Sequence, residues 1–322
     1  MNSGQNNLTD QTGERKPAEK QAEKVEGKPV PAQLKRNFGA LEDNYSGYNK
    51  AKVVVVPVPY EKTVTYKAGT GSGPQAIIDA SMNMELFDEE LNQETFRVGI
   101  HTAESLKVED LPPEDMIEQV HVSVAEHLKA GKFPVVLGGE HTVSLGAVKA
   151  FAETTENFSV LHLDAHYDLK DVYHGSKYNH GCVARRMFEM APIVQVGMRS
   201  LAKEEKDFLT ASGDKIINVD VYRIAESMFW RDEILTSLKE NVYVTIDLDV
   251  FDPSFMPAVG TPEPGGISWY ETLEFLRSLV KYKKVIGFDV VELCPIKGSI
   301  ASDFIAAKLI YRFLGYIYSS KK

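Results

Sequence analysis

The chain has 322 residues, 43% of them hydrophobic, and a formal net charge of −10 at neutral pH, which is enough apolar material to bury the core of one large α/β domain. The excess of acid argues against nucleic acid and anionic membranes as partners and fits a cationic ligand, and no apolar run approaches the roughly 18 to 20 residues of a membrane span. With only Cys182 and Cys294 there is no disulfide framework, so a reducing cytoplasm is the expected compartment.

Residues 1–36 differ from the rest. Met1, Leu8, Val25, Val30 and Leu34 are scattered among Lys, Glu, Gln and Asn, too little apolar surface to offset the entropy of ordering the chain. The segment reads as a disordered polar tail. It lacks the apolar stretch of a secretory signal and carries the acidic residues that an organelle transit peptide avoids. Residues 37–322 read as one catalytic domain, because the residues suited to chemistry run from position 141 to position 292.

From Ala51 onward strands alternate with helical segments. Lys52–Pro57 is a β-branched run too apolar to be half-exposed and reads as a central parallel strand. The loop Tyr60–Gly73, rich in Gly and Thr, follows its carboxyl end and is a candidate wall of a substrate pocket; Pro74 then opens a short helix through Ala80. Further strands are predicted at Arg97–Ile100, Pro134–Leu137, Phe158–Leu163, Ile193–Val196, Lys215–Val219, Val242–Ile246 and Lys284–Phe288. Helices are predicted at Pro112–Ala130, Val143–Thr154, Cys182–Met190, Ala202–Thr210, Glu233–Lys239, Ser268–Val280 and Ser302–Tyr318. Such alternation implies right-handed crossovers and a mostly parallel sheet covered on both faces. Periodicity does not separate an open sheet from a closed barrel, but both place sites at the carboxyl ends of strands.

Three of those ends carry the chemistry. Val160–Leu163 runs into Asp164-Ala165-His166-Tyr167-Asp168, and alternate positions of an extended chain send Asp164, His166 and Asp168 the same way. Val242–Ile246 runs into Asp247-Leu248-Asp249, and Pro134–Leu137 into Gly138-Gly139-Glu140-His141. Together they offer two His and four Asp. That set exceeds what one tetrahedral metal needs and suits two metals sharing bridging carboxylates. Four buried Asp with no cation between them would repel one another.

Two further segments reach the same mouth. His180, in Tyr178-Asn179-His180-Gly181-Cys182, precedes a helix; it either caps that helix or carries a proton, and a helix amino terminus disfavours the imidazolium. Glu292 follows the strand through Phe288 and either stands on the surface or holds a planar cation through paired hydrogen bonds. His162 shares parity with Asp164 and is expected to lie buried behind it as a donor. His101, His121 and His127 read as ordinary residues, His174 as a solvated loop residue, and Cys182 and Cys294 as small buried residues with nothing to stabilise a thiolate.

These motifs resemble those of the ureohydrolases, the arginase and agmatinase family of dimanganese enzymes. Gly138-Gly139-Glu140-His141 is similar to that family's Gly-Gly-Asp-His, with Glu140 departing from the usual Asp. Asp164-Ala165-His166-Tyr167-Asp168 matches its Asp-Ala-His-x-Asp, and Asp247-Leu248-Asp249-Val250-Phe251-Asp252-Pro253 resembles its third signature, continuing through Gly260-Thr261-Pro262 and Gly265-Gly266. The likeness runs from Val53 to the carboxyl terminus. It implies a three-layer α/β/α sandwich with an open, mostly parallel eight-stranded sheet, assembled as a homo-oligomer, a trimer or hexamer. It also implies two Mn2+ ions per subunit, other divalent metals being compatible: His141 and Asp168 on one, His166 and Asp249 on the other, Asp164 and Asp247 bridging. His180 would be the proton-transfer residue and Glu292 the carboxylate that orients a guanidinium. The implied reaction is attack of a metal-bridging hydroxide, aligned by Asp168, on the guanidinium of a small cationic substrate, giving urea and an amine.

Two departures bear on the substrate. Arginases carry a Ser-Gly-Asn-x-His stretch before the catalytic histidine, where this chain has Ser176-Lys177-Tyr178-Asn179-His180, and they usually place Asp after Gly-x-Arg, where Gly197-Met198-Arg199 meets Ser200. Both resemble agmatinases, so agmatine, hydrolysed to putrescine and urea, is the expected substrate. Arginine, guanidinobutyrate and guanidine are the nearer alternatives. A single-metal deacetylase of acylated polyamines is the more distant one.

Overall fold

The computed structural model describes residues 36–319; of the expected tail, all but Arg36 lies outside the described residues. Ten strands follow one another as β1 (Val53–Val58), β2 (Phe87–Asp88), β3 (Gln93–Glu94), β4 (Ile100–Thr102), β5 (Phe133–Gly138), β6 (Phe158–Leu163), β7 (Ile193–Met198), β8 (Ile216–Asp220), β9 (Asn241–Asp247) and β10 (Lys284–Val291). Ten α-helices are interleaved with them: α1 (Asp43–Ser46), α2 (Gly73–Ser81), α3 (Pro113–Lys129), α4 (Ser144–Thr154), α5 (Val183–Phe188), α6 (Lys203–Ser212), α7 (Val221–Glu226), α8 (Trp230–Ser237), α9 (Trp269–Tyr282) and α10 (Ala301–Tyr318).

Eight strands form one sheet in the order β4-β1-β5-β10-β9-β6-β7-β8, every pairing parallel. Its edges are β4 and β8, so the sheet is open and the barrel alternative falls. Successive residues of β1 explain the layers: Val53 and Val55 pack with Ile77 of α2, Phe275 of α9 and Leu309 of α10, while Val54 and Val56 pack with Val120 of α3, Val148 of α4 and Val183 of α5. A strand buried on both faces needs apolar side chains at every position, which is what this β-branched run supplies.

Local signals set the helix ends. Pro113 opens α3, Glu114 and Asp115 sit in its first turn, and Met116, Ile117, Val120 and Val124 form its buried stripe, the pattern of a helix with one face on a sheet. Ser268 and Glu271 make a reciprocal capping box at the start of α9, satisfying two backbone donors. Among the described residues no helix is long and apolar enough to cross a membrane.

One strand is misplaced by the sequence reading. Thr95–Val98, within the segment expected to open a strand at Arg97, forms a 3-10 turn, and β4 begins only at Ile100. Gly99 is the reason: its φ is +80° and a Cβ there would lie 2.7 Å from Ala51 Cα, so the chain must break its extended run to pass Ala51. Helix α8 starts at Trp230, three residues before the expected Glu233, because the Trp230 ring packs against Phe275 with centroids 5.1 Å apart.

Candidate active site

The strand order gathers the motifs. β5, β10, β9 and β6 are consecutive neighbours, with Val291 opposite Asp247 and Leu163 opposite Ile246, so four carboxyl ends open side by side. His141 leaves β5 through two glycines. A Cβ on Gly139 would stand 2.1 Å from Tyr60 O, and one on Gly138 would stand 2.3 Å from a Val143 methyl; neither position admits a side chain. Asp168 and Glu292 hold positive φ values of 53° and 65°, a conformation that L-residues other than glycine rarely take and that concentrates at functional sites.

His141 Nδ1 lies 3.1 Å from Asp164 Oδ2, 3.2 Å from Asp247 Oδ2 and 3.6 Å from Asp168 Oδ2. His166 Nδ1 lies 2.8 Å from Asp249 Oδ2 and 3.5 Å from Asp164 Oδ1. Asp164 therefore faces both imidazoles, one oxygen to each. Asp247 faces His141 with one oxygen, while its Oδ1 accepts the Asp249 N–H at 2.8 Å. All four aspartates are buried.

Two tautomers follow from fixed donors. Thr245 Oγ1 donates to Asp289 Oδ1 at 2.6 Å, so it meets His141 Nε2, 2.8 Å away, as an acceptor. In the neutral ring Nε2 then carries the hydrogen and Nδ1 keeps a lone pair aimed at the carboxylates. Gln195 Nε2 donates to Tyr167 O at 2.8 Å, which fixes its amide and makes it a donor to His162 Nδ1 at 2.9 Å. His162 Nε2, 2.8 Å from Asp164 Oδ2, then carries the hydrogen and offers no lone pair to a metal. This is the buried position behind Asp164 that the strand parity predicts.

These atoms suit cations. His141 Nδ1 is buried without a hydrogen-bond partner among carboxylate oxygens, an arrangement that is costly unless a cation lies between them. Candidate ligand atoms fall into two groups, His141, His162, Asp164 and Asp168 in one and Asp164, His166 and Asp249 in the other, each within 4.8 Å of one another and overlapping at Asp164. Burial pushes Asp168 and Asp247 well above the usual carboxylate range, with neighbouring aspartates adding repulsion. Burial opposes charge on His141 and His166, yet the facing carboxylates outweigh it and raise both. Protons thus hold the charge balance that divalent ions would take over.

His166, Asp168, Asp247, Asp249, His180 and Glu292 line one cavity of about 370 Å³, and Thr65 of the Tyr60–Gly73 loop closes one side. Asn179, whose side chain accepts the Gly181 N–H, caps the turn before α5, leaving the His180 ring free to face the cavity. Burial, then the charges of His166 and His141, lower the His180 pKa to about 4, in place of the helix terminus that the sequence suggests as the cause. Glu292 is buried while lining that cavity, so the reading that stands it on the surface falls. Its backbone N–H donates to Gly139 O at 2.8 Å and its Oε1 accepts from His141 N at 2.8 Å, which turns the chain inward after β10. Burial, followed by repulsion from Glu140, raises its pKa to about 8.

The remaining residues behave simply. His174 is an exposed loop residue, and burial raises Cys182 to about 11 and lifts Cys294, so neither thiol is activated. The sequence reading missed Thr245, Asp289, Gln195 and Arg199. Thr245 shares the parity of Asp247 and was detectable; Gln195 meets His162 only through the pairing of β6 with β7. Arg199 Nη2 gathers the carbonyls of Asp249, Phe251 and Glu263 at 2.7, 3.2 and 3.0 Å, bracing the turn that presents Asp249.

Comparison with known proteins agrees with this geometry. The N(1)-aminopropylagmatine ureohydrolase of Synechocystis sp. is 41% identical over 288 residues, spanning 86% of this chain and 92% of that one. The agmatinase of Pyrococcus horikoshii is 35% identical, spanning 82% and 92%. The solved agmatine ureohydrolase of Thermoplasma volcanium superposes with a TM-score of 0.81 at 28% identity, covering 89% of this chain and 96% of that one. The family model described as Arginase family matches residues 51–315, and the chain accordingly belongs to the arginase family as a metal-dependent amidinohydrolase of the agmatinase-like kind.

Proposed function

We propose that this chain hydrolyses the terminal guanidinium of agmatine, releasing urea and putrescine. The observation that carries the reading is Asp164 shared between the His141 and His166 groups, beside His180 in one cavity. In this reading His141 and Asp168, and His166 and Asp249, would hold two Mn2+ ions, with Asp164 and Asp247 within reach of both. Bound divalent ions supply an acidified water, its pKa lowered from 15.7 towards about 7.

The chain's own residues do the rest. Asp168 accepts a hydrogen bond from the attacking water and aligns it on the guanidinium carbon. Glu292 receives the planar cation, whose charge favours the ionised carboxylate. His180, neutral at pH 7 with its pKa near 4, takes a proton and passes it to the departing amine. We assign residues 37–322 as the catalytic domain, working in the cytoplasm as a homo-trimer or homo-hexamer.

The name of the 41%-identical relative favours a second substrate, agmatine extended by an aminopropyl group. Urea release with added manganese separates the cases when agmatine, N1-aminopropylagmatine, arginine, guanidinobutyrate and guanidine are compared. Turnover of an agmatine skeleton is expected, and the preferred of the first two names the substrate. Absence of urea from all five would end the reading.

A further inference from the structure

We propose that Thr63 is a positioning residue for His180, itself locked by Glu140, so that the loop walling the cavity sets the placement of the proton-transfer imidazole. The inference rests on the role given to His180 above. Glu140 is fully buried and turns both carboxylate oxygens onto one residue: Oε2 accepts from Thr63 N at 2.6 Å and Oε1 from Thr63 Oγ1 at 2.7 Å. A hydroxyl has one hydrogen. With it committed to Glu140, Oγ1 meets its next partner as an acceptor and takes the backbone N–H of His180 at 3.0 Å.

The same two segments are joined twice more. Asn179 Nδ2 donates to Thr63 O at 3.4 Å, and Thr65 Oγ1 lies 3.3 Å from His180 Nε2. The far end of the loop is pinned independently, because Glu61 accepts from Gly69 N at 2.8 Å and from Gly71 N at 2.6 Å. A loop fastened at both ends by carboxylates is a rigid wall. Among the described residues Thr65 is the only hydrogen-bond partner of the His180 ring, so ring placement depends on where the backbone of His180 is held. A small displacement of a reacting group lowers rate far more than it lowers binding.

The test uses the full manganese-loaded chain with Thr63→Val, which keeps shape and removes the hydroxyl, and Thr63→Ser, which keeps the hydroxyl. Thr63→Val is expected to lower kcat on agmatine about 10- to 100-fold with KM changed less than about three-fold, to speed hydrogen exchange of the His180 amide, and to leave metal content at the parent level. Thr63→Ser is expected to restore slow exchange and most of kcat. Unchanged exchange or unchanged kcat in Thr63→Val overturns the proposal, as does joint loss of kcat and metal that Thr63→Ser does not rescue. Exchange and metal content are read without substrate, so failure of the parent to release urea sinks the proposed reaction while the Thr63–His180 link is still decided. Full kcat in His180→Asn overturns both.

Discussion

Thr245 Oγ1 stands between His141 Nε2, 2.8 Å away, and Asp289 Oδ1, 2.6 Å away, and Tyr243 donates to the other Asp289 oxygen at 2.6 Å. This buried chain fixes which nitrogen of His141 keeps its lone pair. Thr245→Val would leave the His141 N–H without its acceptor and remove one of the donors to Asp289 at nearly constant volume, freeing the ring to rotate. Metal affinity should fall about 10- to 100-fold, read by titration against a competing chelator. Affinity equal to the parent would remove the relay from any account of the centre.

Asp247 and His180 should separate by what they cost. Asp247 faces His141 at 3.2 Å, whereas His180 makes its ring hydrogen bond to Thr65 and none to an aspartate. Asp247→Ala is expected to lose metal and activity together, and His180→Asn to keep its metal while kcat falls about 10²- to 10⁴-fold. Elemental analysis alongside urea release decides it; metal retained in Asp247→Ala contradicts a shared ligand.

The difference between what was and was not legible beforehand follows from range. Asp164, His166, Asp168, Asp247 and Asp249 lie at strand exits where period-2 alternation already aims them, and Val53–Val58 declares a doubly buried strand by its composition. The sequence leaves Glu292 open between a surface residue and a cation-holding one because nothing in Val290-Val291-Glu292 announces a φ of 65°; the inward turn depends on Gly139, just past the end of β5. Gln195 and Thr63 act across 33 and 117 residues of chain, so they become visible only once the sheet order is known.

The hairpin of β2 and β3 was also invisible, its strands being two residues each. Its ionic tether to α10 is Arg312, which lies 2.7 Å from Asp88 Oδ2, 2.7 Å from Glu89 Oε1 and 2.5 Å from Glu90 Oε2, while Tyr316 of the same helix donates to Glu90 at 2.7 Å. Asp88 is fully buried, so Arg312→Ala strands a carboxylate without its cation, which destabilises by about 3 to 5 kcal/mol. A chemical denaturation midpoint unmoved by this substitution would show that the hairpin is held by other contacts. Replacing exposed Lys203, paired with Asp207 on α6, should shift it hardly at all.

Glu292 gives the metal-depleted protein a pH signature. Its pKa is about 8 in the folded chain against an ordinary value of 4.5. A carboxyl raised on folding contributes stability that is full below the unfolded value and is lost as pH rises through the folded one, so the window runs from about 4.5 to about 8. Asp168 and Asp247 are raised too and act with the same sign, whereas His180, lowered to about 4, destabilises as pH falls towards that value. His141 and His166, raised by the facing carboxylates, likewise lose their contribution as pH rises; the parent curve mixes all of these, and the informative quantity is the difference between parent and Glu292→Gln after chelation. Thermal midpoints at pH 5, 6.5 and 8 should fall for the parent relative to Glu292→Gln as pH rises, because the amide carries no proton to lose. Parallel curves across that window would mean that the Glu292 carboxyl is already ionised in the folded chain, and that the chain can bury its charge beside His141 before any cation arrives.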